Sequence, residues 1–497
     1  MNREAGVGAF LVAGVGLAGA LGGGLLFVPE RVGPVVGPPT PLTFLVAGGA
    51  IACVSAAFAV LASGPFGAGT GLVYRAVSRT WGSRTVGVAA AWPSVAAYVA
   101  LLALVANWLG HLGVLPAGTR TLGTGFGGTD AGSAVELLVG PLPSLPPGPL
   151  AALACLLALG VHLLGARRAM LAVAVPVWAL LGGATLALAL AFVPGVGEFV
   201  PANYDPLFPT SDLRARALPR FIEGVGIALF AFVGVDAAAS VGDGGTDERP
   251  VGILLATATL TFLTALATFV SLGVVNWIRL TQAGVPTADA VAAYLPLDPG
   301  PVTALVGLVF AWTALVALGF PASRTLAGFA ELVGPDPPVD PVTAGLVLAY
   351  GGAAAICLFG VLAPAVYLAV PGLAVAYLAV VVTAAALSHR SPDRWAECSI
   401  RPGPRLRAAL AVGGGLAALS ILAVPAIRDP ATVLSWTLHR VELVVLGFDL
   451  VRDPLASAVP ALLAWELLGV GVLFVLRDYR DANGITLPPL SGSGREP

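Results

Sequence analysis

Inside a long apolar run, two residues after a glycine, stands a carboxylate: Asp236, in Phe230-Ala231-Phe232-Val233-Gly234-Val235-Asp236. An ionisable group at the centre of a membrane costs at least ~2.5–3.5 kcal/mol. It normally faces an interior or a cavity, where it exchanges a proton or pairs with a cation. The bland alternative places Asp236 near the end of its run, solvated or capping a half-helix. A second stretch offers backbone chemistry instead: Gly22-Gly23-Gly24-Leu25-Leu26-Phe27-Val28-Pro29. Glycine is the weakest helix former after proline. A helix broken in lipid survives only where protein or a water-filled cavity satisfies the freed groups. The triplet therefore reads as a built-in breaking point, with close helix packing as the plainer alternative.

Other chemistry is sparse. All 25 basic residues are arginine, so a lysine nucleophile or Schiff base is excluded. Cys53, Cys155, Cys357 and Cys398 have no metal or redox spacing and read as packing residues. Asp243-x-x-x-Asp247 resembles the Mg²⁺-binding carboxylates of intramembrane prenyltransferases, but no second acidic cluster accompanies it. No His-Glu-x-x-His or Gly-x-Ser-x-Gly occurs. The expectation is no enzyme, no metal and no cofactor. Among lone polar groups, Tyr98, Asn107 and Thr313 lie within apolar runs. Thr313 is a candidate for holding a cation, although a lone Thr often bonds its own helix backbone. His111, His162 and Glu223 stand at run ends and read as interfacial, and Glu466 as a contact to a partner subunit or to lipid headgroups.

The elements that must position these residues are membrane spans. Of 497 residues, 57% are hydrophobic and 10% charged, with mean hydropathy +0.92. No water-soluble class has this composition. About twelve runs are long enough to cross ~30 Å of hydrocarbon. They lie near 6–29, 42–62, 86–110, 149–165, 169–193, 219–240, 251–275, 301–322, 342–361, 363–387, 408–426 and 456–476. The first run lacks the features of a removed signal peptide. With the N-terminus inside, sixteen of the 25 arginines fall on the inner side, which places both termini in the cytoplasm and the chain in the cell membrane. The net charge of −2 argues against a nucleic-acid partner.

If spans 1–5 (about 5–195) and 6–10 (about 219–387) form two halves, span 6 is the counterpart of span 1. Each then carries an interruption: Gly22–Gly24 in one, Gly234 in the other. Inverted five-helix repeats with discontinuous first helices are a design of secondary transporters. A half-helix N-terminus suits a carboxylate, and freed carbonyls suit an ammonium or a cation. The expected architecture is an all-α polytopic membrane protein with a five-plus-five inverted repeat over 1–387, two further helices over 388–477 and a tail over 478–497.

At these two places the chain resembles the amino acid–polyamine–organocation superfamily of permeases. That family carries Gly-Ser/Ala-Gly-Ile-Phe and then a proline in span 1, as Gly22-Gly23-Gly24-Leu25-Leu26 and Pro29 do here. Its span 6 carries aromatic residues, a glycine and an acid, like Phe230, Phe232, Gly234 and Asp236. Glu248-Arg249-Pro250, His162-Leu163-Leu164-Gly165 and Ser323-Arg324 resemble its loop before span 7, the end of span 4 and the close of span 8. The resemblance implies the LeuT-type fold with spans 1 and 6 broken. It implies substrate contacts at Gly22, Gly23, Gly24, Leu25, Phe230, Phe232, Val233 and Gly234, with Phe230 as an aromatic gate, and coupling through Asp236. The chain departs from the family at Gly23, where no hydroxyl is available, at Leu26, and in span 5, which has no lysine.

The expected function is secondary active transport of an amino acid or related amine by alternating access, coupled to H⁺, to Na⁺ or to exchange. A neutral apolar substrate fits best, and a homodimer is an open partner state. A non-transporting sensor or accessory protein on the same scaffold is the alternative, and an intramembrane enzyme ranks behind both.

Overall fold

The computed structural model describes residues 8–21, 32–67, 69–112, 146–197, 199–205, 207, 215–241, 248–275, 277, 286–295, 299–334, 339–428, 454–487 and 490. A helix lies at each of the twelve apolar runs, and no strand occurs among the described residues. In the first half these are α1 (Ala9–Leu21), α2 (Thr40–Ala62), α4 (Arg84–Leu112), α5 (Pro147–Leu163) and α6 (Ala166–Leu190), with a short α3 (Leu72–Trp81) before α4. In the second half are α7 (Ala217–Ala228) with its continuation to Ser240, α8 (Glu248–Val274), α10 (Pro299–Gly328), α11 (Pro341–Phe359) and α12 (Leu362–Arg390). The short α9 (Pro286–Ala292) precedes α10. A one-turn α13 (Pro392–Glu397) leads to α14 (Pro404–Arg428) and α15 (Pro454–Asn483). Nine helical stretches among the described residues are long and apolar enough to cross a membrane, so the chain is an all-α membrane protein.

α2 packs on α8, α4 on α12 and α10, and α5 on α11. α1 lies among α6, α8 and α10. Small residues make the close approaches, as expected where lipid supplies no hydrophobic drive. Gly48 of α2 faces the Thr261 side chain of α8, and Gly372 of α12 faces the Pro93 carbonyl of α4. Further along the same α2–α8 seam, the Ser55 and Thr257 hydroxyls bond each other at 2.7 Å. The last two helices sit outside this set: α14 against α2 and α12, α15 against α4 and α12. α15 is fastened to α4 by a reciprocal pair. Trp92 Nε1 donates to Trp465 O at 2.8 Å, Trp465 Nε1 donates to Trp92 O at 3.0 Å, and the rings stack at 5.0 Å.

Prolines stand inside several helices, among them Pro93 in α4, Pro176 in α6, Pro321 in α10 and Pro371 in α12. Proline removes a backbone donor and frees a carbonyl. A membrane bundle tolerates this when neighbours supply donors. Pro321 withdraws the donor of Ala317 O, and the two carbonyls just before that one take side-chain donors from neighbouring helices. Tyr350 Oη of α11 donates to Leu315 O at 2.9 Å, and His162 Nε2 of α5 to Val316 O at 2.9 Å. Gly319 leaves the room: a Cβ there would meet the Tyr350 hydroxyl and lie 2.6 Å from His162 Nε2. His162 is therefore buried between helices, 7% exposed, and not interfacial as its place at a run end suggests.

Candidate functional site

The sixth run is broken where the sequence places the break. α7 ends at Ala228, a 3₁₀ turn covers Leu229–Phe232, and Val233 is extended at ψ 125°. Gly234 then takes φ +99°, and a second 3₁₀ segment runs Val235–Ser240. Side chains other than glycine rarely adopt that φ. Space imposes the same choice. A Cβ on Gly234 would run into Gly19 O of α1, and one on Gly19 would lie 2.5 Å from Gly234 O. Gly16, one turn earlier in α1, faces Val235 O and the Ala238 Cβ, each 2.9 Å from where its own Cβ would stand. The two backbones thus touch at the break.

Asp236 follows directly and is 4% exposed. A carboxyl that is buried in a membrane bundle requires partners. Tyr98 of α4 donates its hydroxyl to Asp236 Oδ2, and Tyr377 of α12 donates to Oδ1 at 2.6 Å. Tyr377 does double work: its oxygen also accepts the Gly234 N–H at 3.4 Å, one of the donors orphaned by the break. Each carboxylate oxygen therefore has its own phenol, from a different helix. Phe58 of α2 packs edge-on to the Tyr377 ring at 5.9 Å and fixes it. Whichever way the centre changes, α4, α12 and the broken helix are joined through a single carboxyl group.

A polar cleft reaches this group. It encloses ≈ 450 Å³ of atom-free space, part of it open to solvent. Tyr98 and Asp236 line it, together with Ser94, Ser240, Arg324 and the turn Gly69–Val73. Arg249, which donates to Gly67 O beside that turn, lies on the same side as Arg324. At the other end, the connection after α6 is folded onto the end of α8. Val200 N and Asn203 Nδ2 donate to Gly273 O at 2.8 Å, and Tyr204 donates to Phe269 O. Phe199 stacks among Phe192 and Phe269 there, in the space that Gly273 leaves.

The remaining candidates separate clearly. Gly22, Gly23, Gly24 and Leu25 lie outside the described residues, as do Asp243 and Asp247. Phe232 is fully enclosed in the core, while Phe230 and Val233 are partly exposed beside the break. Thr313 is fully buried, and its hydroxyl turns back on its own helix, to Val309 O at 2.9 Å and Phe310 O at 3.1 Å. It does not line the cleft. Glu223 pairs with Arg220 at 3.8 Å, a helix-surface contact. No group of three metal-ligating side chains occurs among the described residues. Tyr377 escaped the sequence reading. A tyrosine in an apolar run resembles packing, and its signal was only that a buried phenol requires a partner.

Comparison of the chain with protein-family models finds no match, and comparison with curated proteins finds none.

Proposed function

We propose that the protein is a secondary transporter that moves an amino acid or related amine across the cell membrane by alternating access. The observation that carries this reading is the break at Val233–Gly234, which lies directly on α1 and delivers Asp236 to two tyrosines in the middle of the bundle. A packing helix has no use for an unwound turn, and a buried carboxyl is costly unless it acts. The paired packing of α2 with α8, α4 with α10 and α5 with α11 is what two inverted five-helix halves would produce. It supports twelve spans on the LeuT-type plan, with both termini cytoplasmic.

In this reading Asp236 is the coupling group. As a carboxylate it accepts both phenols; once protonated it keeps fewer acceptor sites, so α4 and α12 are held less firmly on the broken helix. The cleft gives one face of the membrane access to Asp236, while the aromatic cap at Gly273 closes the opposite ends of α6 and α8. Backbone at the breaks would hold the zwitterion, and Phe230 and Val233 would form the apolar side of the site.

Purified protein in proteoliposomes, tested for uptake and exchange of a panel of labelled amino acids and amines, decides the matter. Accumulation or counterflow of at least one compound, reduced about tenfold or more in Asp236→Asn, is expected. Binding without flux would identify the sensor alternative, and neither binding nor flux for any compound would reject the transporter reading.

A further inference from the structure

A second site lies on the outside of the bundle. α14 docks closely against α2 and α12 where it has glycine: a Cβ on Gly413 would stand 2.7 Å from Cys53 Sγ, and one on Gly414 2.8 Å from Val381 Cγ2. Towards the start of α14 from these glycines the three helices leave a slot. Val60, Val381, Ala384, Pro402 and Ala411 line it, and its wall is almost wholly apolar. Arg407 stands in it as its one charged residue.

The slot lies at a definite depth. Trp395 holds the Arg407 guanidinium at 5.4 Å and Trp81 holds that of Arg390 at 4.8 Å. Tryptophan gathers at the level of lipid headgroups. Arg407 is further steadied by His389 Nε2 at 3.4 Å. Around it, residues 389–407 carry five arginines against two carboxylates, Asp393 and Glu397. Neither Arg405 nor Arg407 makes an ion pair among the described residues. The start of α14 at Pro404 adds the positive end of a 25-residue helix. An apolar slot that opens beneath unpaired positive charge, on a membrane-facing helix, matches one kind of molecule.

We infer that this slot binds an anionic phospholipid, with one acyl chain between α2, α12 and α14 and the phosphodiester on Arg407. The inference rests on the chain being a membrane protein and is independent of what it transports.

The test uses the full-length protein in detergent, titrated with long-chain phosphatidylglycerol, long-chain phosphatidylcholine, glycerol 3-phosphate and inorganic phosphate, with binding read by native mass spectrometry. Phosphatidylglycerol should bind at least about tenfold more tightly than phosphatidylcholine, and the two water-soluble phosphates much more weakly than either lipid. Arg407→Gln should cost about fivefold and erase the preference for phosphatidylglycerol. Ala384→Leu should weaken both lipids by filling the slot. Equal binding of the two lipids to the unaltered protein would overturn the proposal, as would inorganic phosphate matching phosphatidylglycerol. A photoreactive acyl chain on phosphatidylglycerol gives a check that needs no variant. Crosslinks to 381–385 and 407–411 are expected, and crosslinks only elsewhere would defeat the assignment.

Discussion

Two buried polar centres share one construction in this bundle and differ in the group that accepts the bonds. At Gly234, Tyr98 and Tyr377 reach in from α4 and α12; at Gly319, His162 and Tyr350 reach in from α5 and α11. In each, a glycine leaves space and two aromatic side chains serve a weakened stretch of helix. At Gly319 the acceptors are the main-chain carbonyls Leu315 O and Val316 O, whose polarity is fixed. At Gly234 the acceptor is the carboxyl of Asp236, which changes charge with one proton. Only the second borders the polar cleft. The same device is a brace where it ends on backbone, and on the proposed reading a switch where it ends on an acid.

The sharpest way to break this distinction is to fill the glycine of the switch. Gly234→Ala meets both a φ of +99° and the Gly19 carbonyl. It should cost about 3 kcal/mol or more, measured as unfolding free energy in mixed micelles. A change under about 1 kcal/mol would show that α1 and the break are free to part. Next is Tyr377→Phe, which removes a donor to Asp236 and an acceptor for Gly234 N–H. A loss of about 2 kcal/mol is expected, together with an altered pH dependence of uptake. A normal pH profile would reduce this centre to a second brace.

The brace itself should respond differently. Tyr350→Phe removes one bond to Leu315 O and should cost about 1 kcal/mol, with the pH profile of uptake unmoved. A shifted profile would merge the two centres into one network. The smallest effect belongs to Asp340, which caps α11, the helix that carries Tyr350. The Thr343 hydroxyl and N–H donate to Asp340 at 2.7 and 2.8 Å, holding its carboxyl below the ordinary value of 3.8. Its contribution is therefore complete above pH 3.8 and fades as the pH falls through the lowered value. Asp340→Ala should cost ~0.5–1 kcal/mol at neutral pH. Asp340→Asn should keep most of the cap while removing this acid-side loss, seen by thermal unfolding across pH 2–5.

Much of this arrangement could be read from the chain. Runs of apolar residues announce spans because lipid permits little else, and each run holds a helix. Gly234 announced a break because a weak helix former stands there beside a carboxylate inside an apolar run. Partners were harder to read. Asp236 and Tyr377 are 141 residues apart, and no local pattern ties a carboxyl to a phenol at that distance. His162 misled because its position at the end of a run says nothing of which carbonyl on a neighbouring helix it meets. Thr313 followed the commoner habit of an isolated threonine and bonded its own helix.

The contact between Gly19 and Gly234 also bears on how such a chain can vary over generations. Each glycine faces the carbonyl oxygen of the other, and a carbonyl cannot be trimmed by mutation. Packed side chains drift by compensation, one growing as its neighbour shrinks, and that route is closed here. Descendant sequences are expected to keep both glycines, or to lose both along with the break. The pair would then outlast the side chains around it, and serve as a firmer mark of kinship than Asp236 itself.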